Sequence, residues 1–286
     1  QNGLRFTHRE NDFDDYERER FLSRQYSRPG PALALGDVDG DGAEDVFVGG
    51  ARGQSGAIFL QKGDGIFVEN PAHPFESVCD AAAALFFDAD GDKDLDLIVV
   101  NGGNEAPAGD PSYQDRLYRN DGKGNFSLDA GALPTEKESG SVARAYDYDA
   151  DGDLDLFVGG RVTPGRFPEI PRSAVWRNDG GRFSDVTAEA APQFERAGMI
   201  TDLQFADLDG DGAAELIVAG EWMPIRVFKK EGPVFRDVAE AYGVAQSAGW
   251  WNCLLINDLD GDGDPDILAG NEGLNGRFVT WPGGSL

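Results

Sequence analysis

Apolar residues in this chain fall in short runs rather than long helical stripes. Val46-Phe47-Val48, Leu97-Ile98-Val99, Leu156-Phe157-Val158, Leu216-Ile217-Val218 and Ile267-Leu268-Ala269 are mostly β-branched or aromatic and end near glycine. Runs of this kind read as buried strands bounded by turns. An apolar segment precedes each of them, at 31–35, 81–87, 142–146, 200–205 and 250–256. A third segment follows at 57–60, 116–118, 174–176 and 225–228, in three cases ending at a turn such as Asn120-Asp121-Gly122 or Gly63-Asp64-Gly65. Such turns are strong hairpin signals. A fourth opens on Phe67, Phe126, Phe183 or Phe235. Four antiparallel strands therefore recur along the chain.

Between the first and second strand of every repeat stands a nine-residue string with acids at positions one, three, five and nine. The copies are Asp37, Asp39, Asp41 and Asp45; Asp88, Asp90, Asp92 and Asp96; Asp147, Asp149, Asp151 and Asp155; Asp207, Asp209, Asp211 and Glu215; and Asp258, Asp260, Asp262 and Asp266. Their starts lie 51, 59, 60 and 51 residues apart, the period of a repeat architecture. Alternate carboxylates on a Gly-rich turn suit calcium, which takes six to eight oxygen ligands, and the acids at one, three, five and nine are the expected metal ligands. Two copies depart from glycine at positions four and six: Lys93 stands at six in the second, Ala150 at four in the third. An EF-hand is excluded, because its twelfth position is Glu and here it is Val48, Val99, Val158, Val218 or Ala269. Four strands per repeat, with the string in the first hairpin, predict an all-β propeller of about five four-stranded blades. The blades are expected near 30–71, 79–130, 141–189, 198–240 and 249–284 plus strand 3–8, with 9–29 a connector or short cap, all in one domain.

Composition narrows the chemistry. The 286 residues hold 52 acidic and 25 basic side chains, a net charge of −27, which repels nucleic acid. No run of about 18 apolar residues exists to span a membrane. Two cysteines and two histidines exclude a disulfide scaffold and a cysteine-rich zinc site, and leave imidazole chemistry scarce. Cys79 and Cys253 are expected as free thiols. A start at Gln1 rather than Met suggests a processed N-terminus. Each calcium adds two positive charges, so five would bring −27 to about −17, pointing to a structural metal.

The five strings, the apolar runs after them and the Phe-led fourth strands resemble the FG-GAP/VCBS repeat family, whose best-known members are the integrin α-subunit propellers. Gly220-Glu221-Trp222-Met223-Pro224 and Gly249-Trp250-Trp251-Asn252 are similar to bacterial secreted members. The resemblance covers about residues 30–286 and implies calcium in the blade hairpins. It departs from integrin-type propellers in blade number, which is seven there against five strings here. The fifth repeat has a third strand at 277–280 but no fourth, while Gly3-Leu4-Arg5-Phe6 matches the Phe-led strands. Phe6 is therefore expected beside 277–280, supplied by the chain itself or by a neighbouring copy. A fragment of a longer parent is the third possibility.

The resulting expectation is a secreted, non-catalytic, calcium-stabilised propeller acting in adhesion or extracellular self-assembly. Its partners would be protein or glycan at the cell surface, or further copies joined by strand exchange into a homo-polymer. The alternative is a carbohydrate-binding or polysaccharide-acting protein using a loop face or the central channel. Trp176, Trp222, Trp250, Trp251 and Trp281 offer stacking surfaces, although most sit in or beside strands, where core packing is expected. No nucleophile motif, phosphate loop or zinc signature is present.

Overall fold

The computed structural model describes residues 2–71, 74–76 and 78–273. Each of the first four repeats pairs its strands antiparallel in chain order; the first three are separate four-stranded sheets, whereas the fourth is joined to the start of the fifth in one six-stranded sheet. The first holds β1 (Leu33–Gly36), β2 (Asp45–Val48), β3 (Ala57–Lys62) and β4 (Ile66–Asn70). The second holds β5 (Asp80–Phe87), β6 (Asp96–Gly102), β7 (Arg116–Arg119) and β8 (Ser127–Leu128). The third holds β9 (Ser139–Tyr146), β10 (Asp155–Val162), β11 (Ala174–Asn178) and β12 (Phe183–Asp185). The fourth holds β13 (Met199–Ala206), β14 (Glu215–Met223), β15 (Arg226–Glu231) and β16 (Val234–Asp237). A hairpin of β17 (Gly249–Asn257) and β18 (Asp266–Asn271) begins the fifth. The third strand expected at 277–280 lies outside the described residues.

The sheets pack face to face because both faces of each second strand are apolar. Phe47 and Ile58 of the first sheet meet Phe86, Leu97 and Val99 of the second. Ile98 and Leu117 meet Leu156 and Trp176, Phe157 and Val175 meet Leu216 and Phe228, and Ile217 meets Leu254 and Ile267. The first and fifth sheets share no apolar cluster among the described residues. Their outward faces expose Leu33 and Leu35, each 61%, and Leu255 and Leu268, 52% and 54%.

Residues 3–8 form no strand, and their expected neighbours at 277–280 lie outside the described residues. Asn2 accepts a hydrogen bond from the Phe67 amide at 2.6 Å, and Phe6 packs on Val46, Val48, Ala57 and Phe59. The segment thus covers part of the outward face of the first sheet, which is strongly apolar.

Residues 9–29 are more than a solvated connector. They hold a short helix, α1 (Asp15–Arg18), and bury Leu22 and Tyr26 against Val162 and Met199. Buried Asp15 accepts the Tyr26 amide at 3.2 Å, the Asn104 side-chain amide at 3.0 Å, and the Ser27 hydroxyl. Arg18 donates to the Asn104 and Ala106 carbonyls at 2.6 and 3.0 Å, while Glu19 accepts the Gly165 and Phe167 amides at 3.1 and 2.7 Å. The long loops of the second and third sheets therefore clamp a strap that crosses the assembly.

Candidate metal-binding loops

Every acidic string spans the hairpin between the first and second strands. Position nine pairs with the residue just before position one: Gly36 with Asp45, Phe87 with Asp96, Tyr146 with Asp155, Ala206 with Glu215, Asn257 with Asp266. The loop closes on itself through its own carboxylates. The position-one aspartate accepts the amides of positions four and six, as Asp37 does from Gly40 and Gly42 at 2.8 and 2.9 Å. Asp147 does the same with Ala150 and Gly152 at 2.7 and 3.1 Å, and Asp258 with Gly261 and Gly263 at 2.7 and 3.1 Å. Positions four and six must be left-handed for this, with φ of +73° at Gly40 and +88° at Gly42. Lys93 and Ala150 keep that conformation at φ of +76° and +63°, so both non-glycine copies preserve the loop at a cost in strain.

Position nine has a different task. Buried Asp45 accepts the amides of Val38 and Gln61 at 2.9 and 2.8 Å, and Asp155 those of Tyr148 and Asn178 at 3.0 and 2.8 Å. This carboxylate ties the loop to the third strand. Burial pushes Asp155 up to about 6 against the pull of those amides, and raises Asp45 and Asp96 for the same reason.

The loops bring together three acids each, with one ligand oxygen per residue within 4.8 Å of the others. These are Asp37, Asp39 and Asp41; Asp88, Asp90 and Asp92; Asp147, Asp149 and Asp155; Asp207, Asp209 and Glu215; and Asp258, Asp260 and Asp262. Asp45, Asp96, Asp151, Asp211 and Asp266 fall outside these sets. The donors are all carboxylate oxygen, which fits a hard divalent cation, and such a cation would offset three converging like charges. Some copies also hold a basic side chain. Lys229 reaches Asp209, Asp211 and Glu215 at 2.5, 2.6 and 3.1 Å, Lys62 reaches Asp39 at 2.7 Å, and Arg119 reaches Asp96 at 2.7 Å.

Two polar clusters escaped the sequence reading. Glu221, 1% exposed, meets Arg24 at 3.0 Å, Arg161 at 2.6 Å and the Tyr26 hydroxyl at 2.5 Å. Burial pushes this carboxyl up, but the two guanidinium groups outweigh it and hold it below the usual range. Asp80 lies against Glu105 beneath the strap, and burial, then that neighbour, raise it to about 8. Neither cluster has a periodic signature; only the contiguous Gly220-Glu221-Trp222 stretch marked one member. Both cysteines are free, Cys79 buried and donating to the Gly102 carbonyl at 2.8 Å, Cys253 exposed. Trp176 and Trp250 are buried, while Trp222 is 38% exposed and stands at φ +60°. Among the described residues no helix is long and apolar enough to cross a membrane.

The FG-GAP-like repeat pattern matches residues 37–99, 101–158, 169–218 and 207–269. No curated protein matches the chain. Among solved structures, the V. cholerae biofilm matrix protein Bap1 is similar at 15% identity and a TM-score of 0.40, over 86% of this chain and 35% of that one. The chain thus spans about a third of Bap1's length. BBS1N, solved in complex with ARL6DN, is similar at 12% identity and a TM-score of 0.28, over 87% of this chain and 90% of that one.

Proposed function

Since the chain belongs to the FG-GAP-like repeat family, we propose that it is a calcium-stabilised, non-catalytic propeller of about five blades that serves adhesion or assembly outside the cell. One observation carries the reading: five hairpins of the same design each converge three carboxylates within 4.8 Å. Calcium supplies charge neutralisation and multidentate oxygen coordination when bound. The protein's own contribution is to prearrange the loop, with position one gathering backbone amides and position nine anchoring the hairpin to the third strand. Positions one, three and five or nine are then the ligands. Millimolar calcium outside cells suits exposed sites of modest affinity. Calorimetric titration of chelator-treated protein should find about five sites per chain, and two or fewer would defeat the count.

A glycan-binding reading has one observation in its favour. Phe21, 84% exposed, Phe167, Ile170, Trp222 and Met223 line an apolar pocket of about 570 Å3 beside the strap. The Trp222 ring lies 5.3 Å from that of Trp250, which holds one face ready for a sugar ring. A glycan array separates this reading from adhesion to protein.

A further inference from the structure

A second, polar cavity lies where the first strands of the sheets come closest together. In four of these strands one residue is looped out of the ladder by a β-bulge: Ala82, Ser141, Thr201 and Asn252. All four line a single cavity of about 350 Å3, and strap residues Arg24 and Arg28 form its remaining wall with Arg161 of β10. Bulges recur where a strand re-aims a side chain, and here four successive ones aim at the same space.

The charge of this cavity is opposite to that of the molecule. Among the described residues no carboxylate lines it, while three guanidinium groups do. Arg24 and Arg161 share Glu221, and Arg24 also meets Glu272 at 2.9 Å, so two acids stand against three bases. Arg28 makes no ion pair among the described residues. Arg161, 13% exposed, leaves its Nη1 buried without a hydrogen-bond partner, although a buried charged donor normally has one. The Ser141 and Thr201 hydroxyls are committed to the carbonyls of Ile200 and Trp251 at 2.7 and 2.9 Å. Asn252 accepts from Arg24 through its Oδ1 at 2.9 Å, which leaves its amide nitrogen as a donor.

We propose that this cavity is a binding site for a small oxyanion of the size of one sugar acid, held by Arg28, Arg161 and the Asn252 amide. Planar guanidinium groups recognise carboxylate, sulfate and phosphate in a bidentate manner, and the surplus positive charge in a chain of net −27 gives the site its selectivity. The volume matches the lower end of small-ligand pockets. The inference does not depend on the acidic loops being calcium sites.

Calorimetry on the full chain in calcium buffer at matched ionic strength tests it, with sulfate, glucuronate and neutral glucose as probes. Saturable binding of sulfate or glucuronate but not of glucose is expected, and which of the two binds distinguishes an inorganic from a sugar-acid ligand. Arg28→Glu should weaken that binding at least about tenfold. Arg28→Ala, which removes an exposed side chain with no ion pair among the described residues, should give a smaller loss at an unchanged melting temperature. Absence of binding by either anion, equal binding of glucose, or binding indifferent to both substitutions would overturn the proposal.

Discussion

At the residue scale, the acids of one loop are chemically alike but carry different loads. Among the described residues Asp149 accepts no backbone amide, whereas Asp155 satisfies two buried ones. Asp149→Asn should therefore lower the melting temperature in calcium and leave it unchanged in chelator. Asp155→Ala should lower it in both, with a loss of about 2–4 kcal/mol of stability, because two buried amides lose their acceptor. A calorimetric melt of each variant in both buffers checks the division. Lys229 places an ammonium among the three acids of the fourth loop. Lys229→Met should tighten calcium binding there several-fold, since a competing cation is gone, and terbium luminescence with calcium competition reads the change. Asp80 supplies the pH dependence. Its carboxyl is raised from 3.8 to about 8 by burial, then by Glu105, so the folded state binds its proton more tightly than the unfolded chain. The associated stability is fully present below about 4 and is lost as pH rises through 8. Melting curves between pH 6 and 9 should fall in the parent relative to Asp80→Asn.

At the scale of elements, the hairpins were legible in the sequence because one string performs every task of the turn. Alternate acids, left-handed positions four and six and the ninth acid lie within nine residues, and the apolar runs after them mark β2, β6, β10, β14 and β18. What could not be read was the division of labour between positions three and nine, because both are simply acids on the page. The reach of Glu221 was hidden for a related reason. It sits at the end of β14 next to an apolar stretch, and its partners Arg24 and Tyr26 belong to a segment nearly two hundred residues away, an |i−j| of 195 for Tyr26. The contact of Phe6 with the first sheet was not legible, because a Phe-led motif specifies an apolar contact, not which sheet provides it. The bulges at Ala82, Ser141, Thr201 and Asn252 leave no trace in composition, since a looped-out residue is set by register alone.

At the scale of the whole molecule, charge and stability are coupled. A net −27 destabilises a compact chain by self-repulsion, and bound cations would relieve it. Excess chelator should lower the melting temperature strongly, following the linkage of binding to folding, and added monovalent salt should restore part of the loss by screening. An unchanged melting temperature in chelator would show that the loops hold no stabilising metal. The Glu221 cluster fastens the strap to the fourth sheet, so Glu221→Ala leaves two guanidinium groups without their shared carboxylate. A loss of about 3–5 kcal/mol is expected, with the segment 9–29 becoming the first site of limited proteolysis.

The strap also orders events in time. Residues 9–29 are synthesised before strands β1 to β18, yet the contacts of Arg24 reach Glu272, an |i−j| of 248. A chain growing from its N-terminus can stack one sheet on the next as each is completed, since those contacts are local. Residues 15–19 of the strap can dock on the loops of the second and third sheets, but its end at 24–26 has to wait. Until β17 and β18 have left the ribosome, Arg24 lacks Asn252 and Glu272, and Tyr26 lacks Glu221 until β14 is made. A segment made before the five repeats is thus fully fixed only after them, and the docking of Arg24 reports that β17 and β18 have arrived.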